Sequence, residues 1–92
     1  MLKTFRHKGL KQLFETGKSA AVAQDLAKRA KIVLDYLDAA ITVYDMGAPG
    51  LRLHELKGER KGTWSVTVSG NWRITFGFHD GDAYDVDLED YH

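Results

Sequence analysis

The sequence predicts a small α+β domain in which two N-terminal helices pack on one face of a mainly antiparallel β-sheet. Between residues 64 and 88, three short runs alternate apolar and polar side chains, which is typical of half-buried strands. Between residues 8 and 41, apolar side chains instead recur every three or four positions, which is typical of helices. A chain of 92 residues suffices for a single domain with two packed layers, so we treat residues 1–92 as one domain.

The N-terminal half is expected to form a short strand and two helices. Residues 2–5 are the candidate strand. In residues 8–16 the apolar side chains form a helical stripe, and Gly17 follows as a C-terminal cap. Ser19 is a candidate cap for the second helix, whose apolar positions are Val22, Leu26, Ala30, Val33, Leu34, Leu37 and Ile41. The short connection predicts an antiparallel helix pair.

The C-terminal half is expected to supply four strands. Residues 45–50 contain the only proline and two glycines, which end the helical region. Residues 52–56 are a candidate strand, and the charged loop 57–62 follows it. The three alternating runs come next, separated by Gly70-Asn71 and Asp80-Gly81, which favour tight turns. The predicted order is β-α-α-β-β-β-β.

The alternation assigns the strand side chains to two faces of the predicted sheet. The helices would cover the apolar face, with Trp64 and Trp72 as core residues. The other face would stay uncovered and carry Ser65, Thr67, Arg73, Thr75 and Asp85. Such a face suits a polar ligand, but antiparallel sheets also commonly expose one face to water without any ligand.

The charges are balanced in sum but uneven along the chain. The formal net charge is zero, which by itself argues against a nucleic-acid-binding protein. Residues 79–92 hold six carboxylates and no lysine or arginine, whereas residues 52–73 hold two glutamates and the cations Arg52, Lys57, Arg60, Lys61 and Arg73. Because salt screens charges beyond about 10 Å, this locally basic segment can still bind phosphate. We therefore treat Lys57, Arg60, Lys61 and Arg73 as candidate RNA contacts.

Other features of the composition concern the setting of the protein. The sequence has no cysteine, which excludes disulfides and thiolate metal sites and fits a cytoplasmic location. No apolar run approaches the roughly 20 residues that span a bilayer, so we expect no membrane contact.

Two histidines are candidates for proton transfer. His54 lies on the candidate strand before the basic loop, and His92 is the last residue. A free imidazole has a pKa of roughly 6.5, so a pair can supply a general base and a general acid near neutral pH. Cleavage of RNA by its own 2′-hydroxyl needs such a pair, with cations to stabilise the phosphorane, and needs no metal. Of these cations, Arg73 is the first candidate and Lys57 the second.

Each of these candidates also has a structural interpretation. A surface histidine is commonly incidental, and Arg73 could form an ion pair with Asp85 or Asp87. Tyr91 could stack on a base or be a surface side chain near the chain end. Asp90 could orient a histidine or simply continue the acidic run. A metal site from His54, Asp90 and His92 is disfavoured, because no close ligand spacing supports it.

Four segments of the sequence resemble the HigB toxins, a branch of the RelE-like toxins of bacterial type II toxin–antitoxin modules. The segments are FRHKGLKQLFETG (5–17), RLHELKG (52–58), GTWSVTVSGNWRITF (62–76) and GDAYDVDLEDYH (81–92). Their order and spacing match over nearly the whole chain. One departure is the segment 67–70, Thr-Val-Ser-Gly, where several relatives carry an extra arginine that contacts phosphate.

The resemblance implies a RelE-like fold with a curved sheet and a ribosome-dependent endonuclease, which cuts mRNA in the ribosomal A site and stops growth. The implied catalytic residues are His54, Asp90, Tyr91 and His92, and Lys57 and Arg73 match basic residues near the scissile phosphate. No cofactor is implied. The implied partner is a HigA-like antitoxin, a small helix-turn-helix protein, and operator DNA would be contacted only through it.

Two other functions stay open at this point. The same fold also hosts ParE-like toxins, which bind DNA gyrase and do no RNA chemistry, and fold alone does not separate the two classes. A degenerate toxin that only binds its antitoxin is the second alternative. His54 and the closing Asp-Tyr-His favour the nuclease, and the presence of His54, Arg73 and His92 speaks against the degenerate toxin.

Overall fold

The computed structural model describes residues 1–91 and places a helical layer on one face of a four-stranded sheet. Along the chain, the elements are α1 (Lys8–Thr16), α2 (Gln24–Ala39), a 3₁₀ turn (Val43–Met46), β1 (His54–Glu55), a second 3₁₀ turn (Gly58–Arg60), β2 (Thr63–Ser69), β3 (Trp72–His79) and β4 (Asp82–Asp90). The strand order is β1-β2-β3-β4, and each neighbouring pair is antiparallel. The predicted α+β class is confirmed.

The predicted first strand is present only as two isolated parallel bridges, from Leu2 to Ala83 and from Phe5 to Val86. The bridges are interrupted at Asp85, an irregular position within β4. Asp85 has a φ of 53°, and its N–H donates to the Thr4 hydroxyl at 2.8 Å instead of to the main chain. A continuous ladder between residues 2–5 and β4 therefore does not form.

The helix ends show which capping predictions hold. Gly17 has a φ of 81° and its N–H donates to the Leu13 carbonyl, so it caps α1 as predicted. The prediction that Ser19 caps α2 was wrong. Ala23 has that position, and the Ser19 hydroxyl accepts from the Ala21 N–H within the connection. Because the Ser19 hydroxyl already bonds within the connection, it does not cap the helix, which begins about one helical turn later. The helix also ends before Ile41, which is exposed.

The core lies between the helices and the sheet. Its larger wholly buried side chains come from both layers and from the 3₁₀ turn: Leu10, Leu34, Leu37, Met46, Val66, Ile74, Phe76 and Val86. Each such side chain contributes about 1.5–3 kcal/mol relative to an exposed one. Packing of the two layers therefore holds β3 and β4 in the register on which the polar face depends.

The two tryptophans differ in their surroundings. Trp64 packs against the core and meets the Tyr44 ring edge-on, with the ring centroids 5.9 Å apart. Trp72 is 36% exposed, so its prediction as a core residue was wrong. It is the first residue of β3, and an open groove separates it from the first turn of α2. Alternation assigned its face correctly, but a groove remains between the first turns of α2 and that end of the strand.

Both tight turns form at the predicted dipeptides. His79 pairs with Asp82 across Asp80 and Gly81, whose φ values of 49° and 81° are both positive, as a type I′ turn requires. Gly70 has a φ of 55° in the β2–β3 turn. Within residues 1–91, neither helix combines the length and the apolar character needed to span a bilayer.

Candidate active site

The sheet face opposite the helices, here called the polar face, brings together side chains from all four strands. His54 pairs with Ser65, Ser65 with Thr75, and Thr75 with Asp87. Residues directly opposite each other in an antiparallel pair share a face, so these four side chains form one row. The next row holds Thr67, Arg73 and Glu89.

The centre of the polar face is covered, so the prediction of an open face was wrong there. Ser65 is 0% and Thr75 is 1% exposed. The loop after β1 crosses this face, because Arg60 reaches Glu89 on the opposite edge strand. The Glu55 carboxylate fixes the end of the same loop by accepting from the Gly62 N–H at 2.9 Å.

The contact between Arg60 and Glu89 is bidentate. Both terminal nitrogens of Arg60 donate to the two carboxylate oxygens, one of them at 2.9 Å, and the Thr75 hydroxyl donates to the same carboxylate. The Arg60 hydrogen bonds are the main reason that the pKa of Glu89 lies below its usual value; partial burial opposes them, and Thr75 and the nearby Arg6 add to the lowering. The same carboxylate raises the pKa of Arg60. Both groups are therefore charged near neutral pH.

Tyr91 lies beyond the end of β4 between two arginines. Its N–H donates to the Asn71 carbonyl at 2.8 Å, which attaches it to the β2–β3 turn. The guanidinium carbon of Arg73 lies 5.7 Å from the centroid of the Tyr91 ring, within cation–π range. Glu89 is the main group that raises the pKa of the Arg60 guanidinium, and the nearby Tyr91 side chain adds to it. The predicted candidates Arg60, Arg73 and Tyr91 thus lie together.

Arg73 points to the polar face and is fixed by neutral groups. Its Nη1 donates to the carbonyl oxygen of Gly70 at 2.7 Å and to that of Trp72 at 3.1 Å. The side chain is half-buried. Carbonyl acceptors orient a guanidinium but do not cancel its charge, so Arg73 can still attract an anion.

His54 is exposed on β1, in the same row as Thr75. Its Nδ1 lies 3.1 Å from the Arg52 carbonyl oxygen. A hydrogen on Nδ1 makes this contact a hydrogen bond and leaves Nε2 as the proton acceptor. The sheet places His54 and Tyr91 on opposite sides of β2 and β3, and Arg60 connects the two edges. His92, predicted to act with His54, lies outside the described residues.

The remaining predicted residues lie at the border of the polar face. Lys57 and Lys61 flank the second 3₁₀ turn and are exposed, and Asp90 is exposed opposite Trp72 at the end of β4. A cleft of about 370 Å³ beside the turn is lined by charged groups and by the glycines and threonines of the sheet: Arg6, Glu59, Arg60, Lys61, Gly62, Thr63, Thr75, Gly77, Asp85 and Asp87. A larger groove, of about 620 Å³, lies between α1 and α2, away from these groups.

Sequence reasoning missed two groups at this site, Thr75 as a buried donor and Glu89 as its acceptor. Both are on the polar phase of their strands, but the strand period predicts only which sheet face a side chain is on. It does not predict its hydrogen-bond partner. Among residues 1–91, no three His, Asp or Glu side chains lie close enough together to hold a metal ion.

Comparison with known proteins decides the family. A model described as "RelE-like toxin of type II toxin-antitoxin system HigB" matches residues 3–92. The chain belongs to the HigB-like toxin family. A curated relative, Endoribonuclease HigB of Proteus vulgaris, is 47% identical over 92 residues, with both chains covered completely. The resemblance seen in the sequence is thereby confirmed. A HigB-like toxin is one component of a type II toxin–antitoxin system, whose other component is an antitoxin.

Proposed function

We propose that this HigB-like toxin is an endoribonuclease that cleaves mRNA in the A site of the translating ribosome and so inhibits translation and growth. Its family and the name of its Proteus vulgaris relative, Endoribonuclease HigB, support RNA as the substrate. The structural observation that carries the proposal is the Tyr91 ring with Arg73 over it, at the border of the polar face. A base can stack on such a ring while the arginine attracts the adjacent phosphate.

In the proposed reaction the 2′-oxygen attacks the adjacent phosphorus and displaces the 5′-oxygen, which leaves a 2′,3′-cyclic phosphate and a 5′-hydroxyl. One of His54, His92 and Asp90 takes the proton from the 2′-hydroxyl, and a histidine protonates the leaving 5′-oxygen. The products account for both protons and for the broken P–O bond. No metal or cofactor takes part in this route.

The cations of the site stabilise the charge of the phosphorane in this proposal. Arg73 and Lys57 contact the scissile phosphate, and Lys61 extends the basic surface along the RNA. Tyr91 orients the nucleotide by stacking. Arg73 is supported in this role because, within residues 1–91, its hydrogen-bond acceptors are carbonyl groups, which do not cancel its charge.

The proposed setting follows from the substrate. A translating ribosome holds the message in a fixed path and supplies part of the geometry that a 92-residue domain does not enclose. The toxin would therefore act in the cytoplasm. A HigA-like helix-turn-helix antitoxin would neutralise it, and only that antitoxin would contact operator DNA.

The proposal is tested by the variants His54→Gln and His92→Ala in a reconstituted translation reaction with one defined mRNA. Removal of a general acid or base lowers a cleavage rate by about 10²–10⁴-fold, so at least one of the two variants should lose A-site cleavage by about 100-fold or more. Asp35→Asn is the control, because it removes an exposed ion pair with Lys31 on α2. It should cleave at the wild-type rate.

Two results would contradict this proposal. If both histidine variants cut the A-site message as fast as the wild type, the assignment of the site is wrong. If the wild type instead causes gyrase-dependent DNA breakage and leaves mRNA intact, the activity is of the ParE type. A primer-extension assay on the mRNA and a gyrase cleavage assay on plasmid DNA give these two readouts.

A further inference from the structure

We infer that Glu89 and Thr75 are positioning residues, which hold Arg60 against Tyr91 so that Arg60 orders the C-terminal end of the site instead of binding RNA phosphate. This inference rests on the proposed endoribonuclease function. It divides the two arginines around Tyr91 into one that binds substrate and one that positions a neighbour.

The partners of the two arginines differ in charge. Arg73 donates to two main-chain carbonyls, which are neutral. Arg60 donates through both terminal nitrogens to one carboxylate, that of Glu89. A bidentate carboxylate satisfies the fork of a guanidinium and compensates its charge at short range. Phosphate is therefore attracted to Arg73 much more strongly than to Arg60.

The Glu89 carboxylate is fixed from the sheet side. The Thr75 hydroxyl donates to it, and Thr75 is 1% exposed on the central strand β3. The Glu89 side chain itself is 22% exposed, whereas that of Arg60 is 45% exposed. The buried threonine and the mostly covered glutamate thus form a rigid base, and the more exposed arginine of the loop attaches to it.

This attachment has to cross the whole sheet. Arg60 follows β1 at one edge, and Glu89 is on β4 at the other, three strand spacings or about 14 Å away in a flat sheet. The ion pair therefore holds the loop across the polar face and keeps the guanidinium at Glu89, near the Tyr91 side chain. Two other contacts restrain Tyr91, one from its N–H to the Asn71 carbonyl and one from its ring to the Arg73 guanidinium.

The predicted catalytic residues Asp90 and His92 are the chain neighbours of Tyr91. A displacement of Tyr91 therefore displaces Asp90 as well. Misplacement of catalytic groups by about 1 Å can reduce a rate by about 100-fold without weakening substrate binding. The expected signature is a slower maximum rate with unchanged affinity.

The test is single-turnover cleavage of a defined mRNA on translating ribosomes, with the toxin concentration varied. Glu89→Gln keeps the size of the side chain but loses its charge, and Arg60→Met removes the guanidinium. Each should lower the maximum rate by about 10- to 100-fold and change the half-saturating concentration by less than about twofold. Thr75→Val should have a smaller effect in the same direction. Lys57→Met, which removes a proposed phosphate contact, should instead raise the half-saturating concentration.

The double variant Arg60→Met/Glu89→Gln tests whether Glu89 acts through Arg60. If it does, the double variant should be no slower than Arg60→Met alone. Asp35→Asn, which lacks an ion pair on α2, should match the wild type. Arg60 is on an exposed loop, so Arg60→Met should still fold. It therefore tests the inference even if Glu89→Gln fails to fold.

Three results would overturn the inference. The first is wild-type kinetics for Arg60→Met. The second is a raised half-saturating concentration for Arg60→Met with a weaker salt dependence, because that pattern marks a direct phosphate contact. The third is a double variant that is slower than both single variants together predict. If the wild type itself does not cleave RNA, the proposed function fails first, and the inference fails with it.

Discussion

The two faces of the sheet are both buried at their centres, but by different physical means. On β3, the neighbours Thr75 and Phe76 are 1% and 0% exposed. Phe76 is buried among apolar side chains under the helices, whereas Thr75 donates to a carboxylate that also binds Arg60. Apolar packing has no preferred direction and does not depend on pH, whereas an ion pair depends on both its geometry and the pH. The helix-covered face therefore supplies most of the stability, and the polar face supplies the groups proposed for function.

The largest effect is expected from the helix-covered face. Phe76→Ala should lower the free energy of unfolding by about 3–5 kcal/mol, because it removes a wholly buried ring and leaves a cavity. Urea unfolding followed by fluorescence measures this change. Phe78→Ala is the matched control: that ring contacts Phe76 at 6.5 Å between centroids but is only half-buried, so its loss should be smaller. Equal losses would contradict the difference in burial.

A smaller, pH-dependent effect is expected from the ion pair of the polar face. Glu89→Gln should lower the free energy of unfolding by about 1 kcal/mol at pH 7, a value limited by the exposure of Arg60 to solvent. The pKa of Glu89 is depressed in the folded protein, mainly by Arg60. Its contribution is therefore complete above the unfolded pKa, roughly 4.3, and is lost as the pH falls through the lower folded value.

Urea unfolding of the wild type and of Glu89→Gln at pH 7, 5 and 3 tests this prediction. The difference between the two proteins should be similar at pH 7 and pH 5 and should shrink at pH 3. A difference that stays constant over this range would show that the carboxylate charge does not stabilise the fold.

The smallest effect is expected from Ser65, which is fully buried on the polar face. Its hydroxyl oxygen has no hydrogen-bond partner within residues 1–91. Ser65→Ala should therefore change the free energy of unfolding by less than about 0.5 kcal/mol, or raise it slightly, because no bond is lost and a polar group leaves the interior.

Thr75→Val is the comparison for Ser65→Ala, since both remove one buried hydroxyl from the same row. Thr75 donates to the Glu89 carboxylate, so the loss of its hydroxyl should cost about 0.5–1.5 kcal/mol. The urea midpoints of the two variants measure the difference. A larger loss for Ser65→Ala than for Thr75→Val would mean that the Ser65 hydroxyl is bonded in solution.

The local features of this fold could be predicted from the sequence because they depend on neighbours in the chain. A period of two marks β2, β3 and β4, and a period near 3.6 marks α1 and α2. Gly17 and the Asp80-Gly81 turn adopt positive φ values that few other residues accept. The polar phase of β3 likewise assigned Arg73 to the face away from the helices.

Only the tertiary structure decided how the polar face is used. The bond between Arg60 and Glu89 joins residues 29 apart, and no periodicity specifies such a partner. The exposure of Trp72 depends on how closely α2 packs on the start of β3, and the position of Tyr91 beside Arg73 depends on the pairing of Trp72 with Asp90. Side-chain alternation selects a face, but packing and strand register select the contacts on it. For this reason the residue types of the candidate site could be predicted from the sequence, whereas the loop that covers the polar face could not.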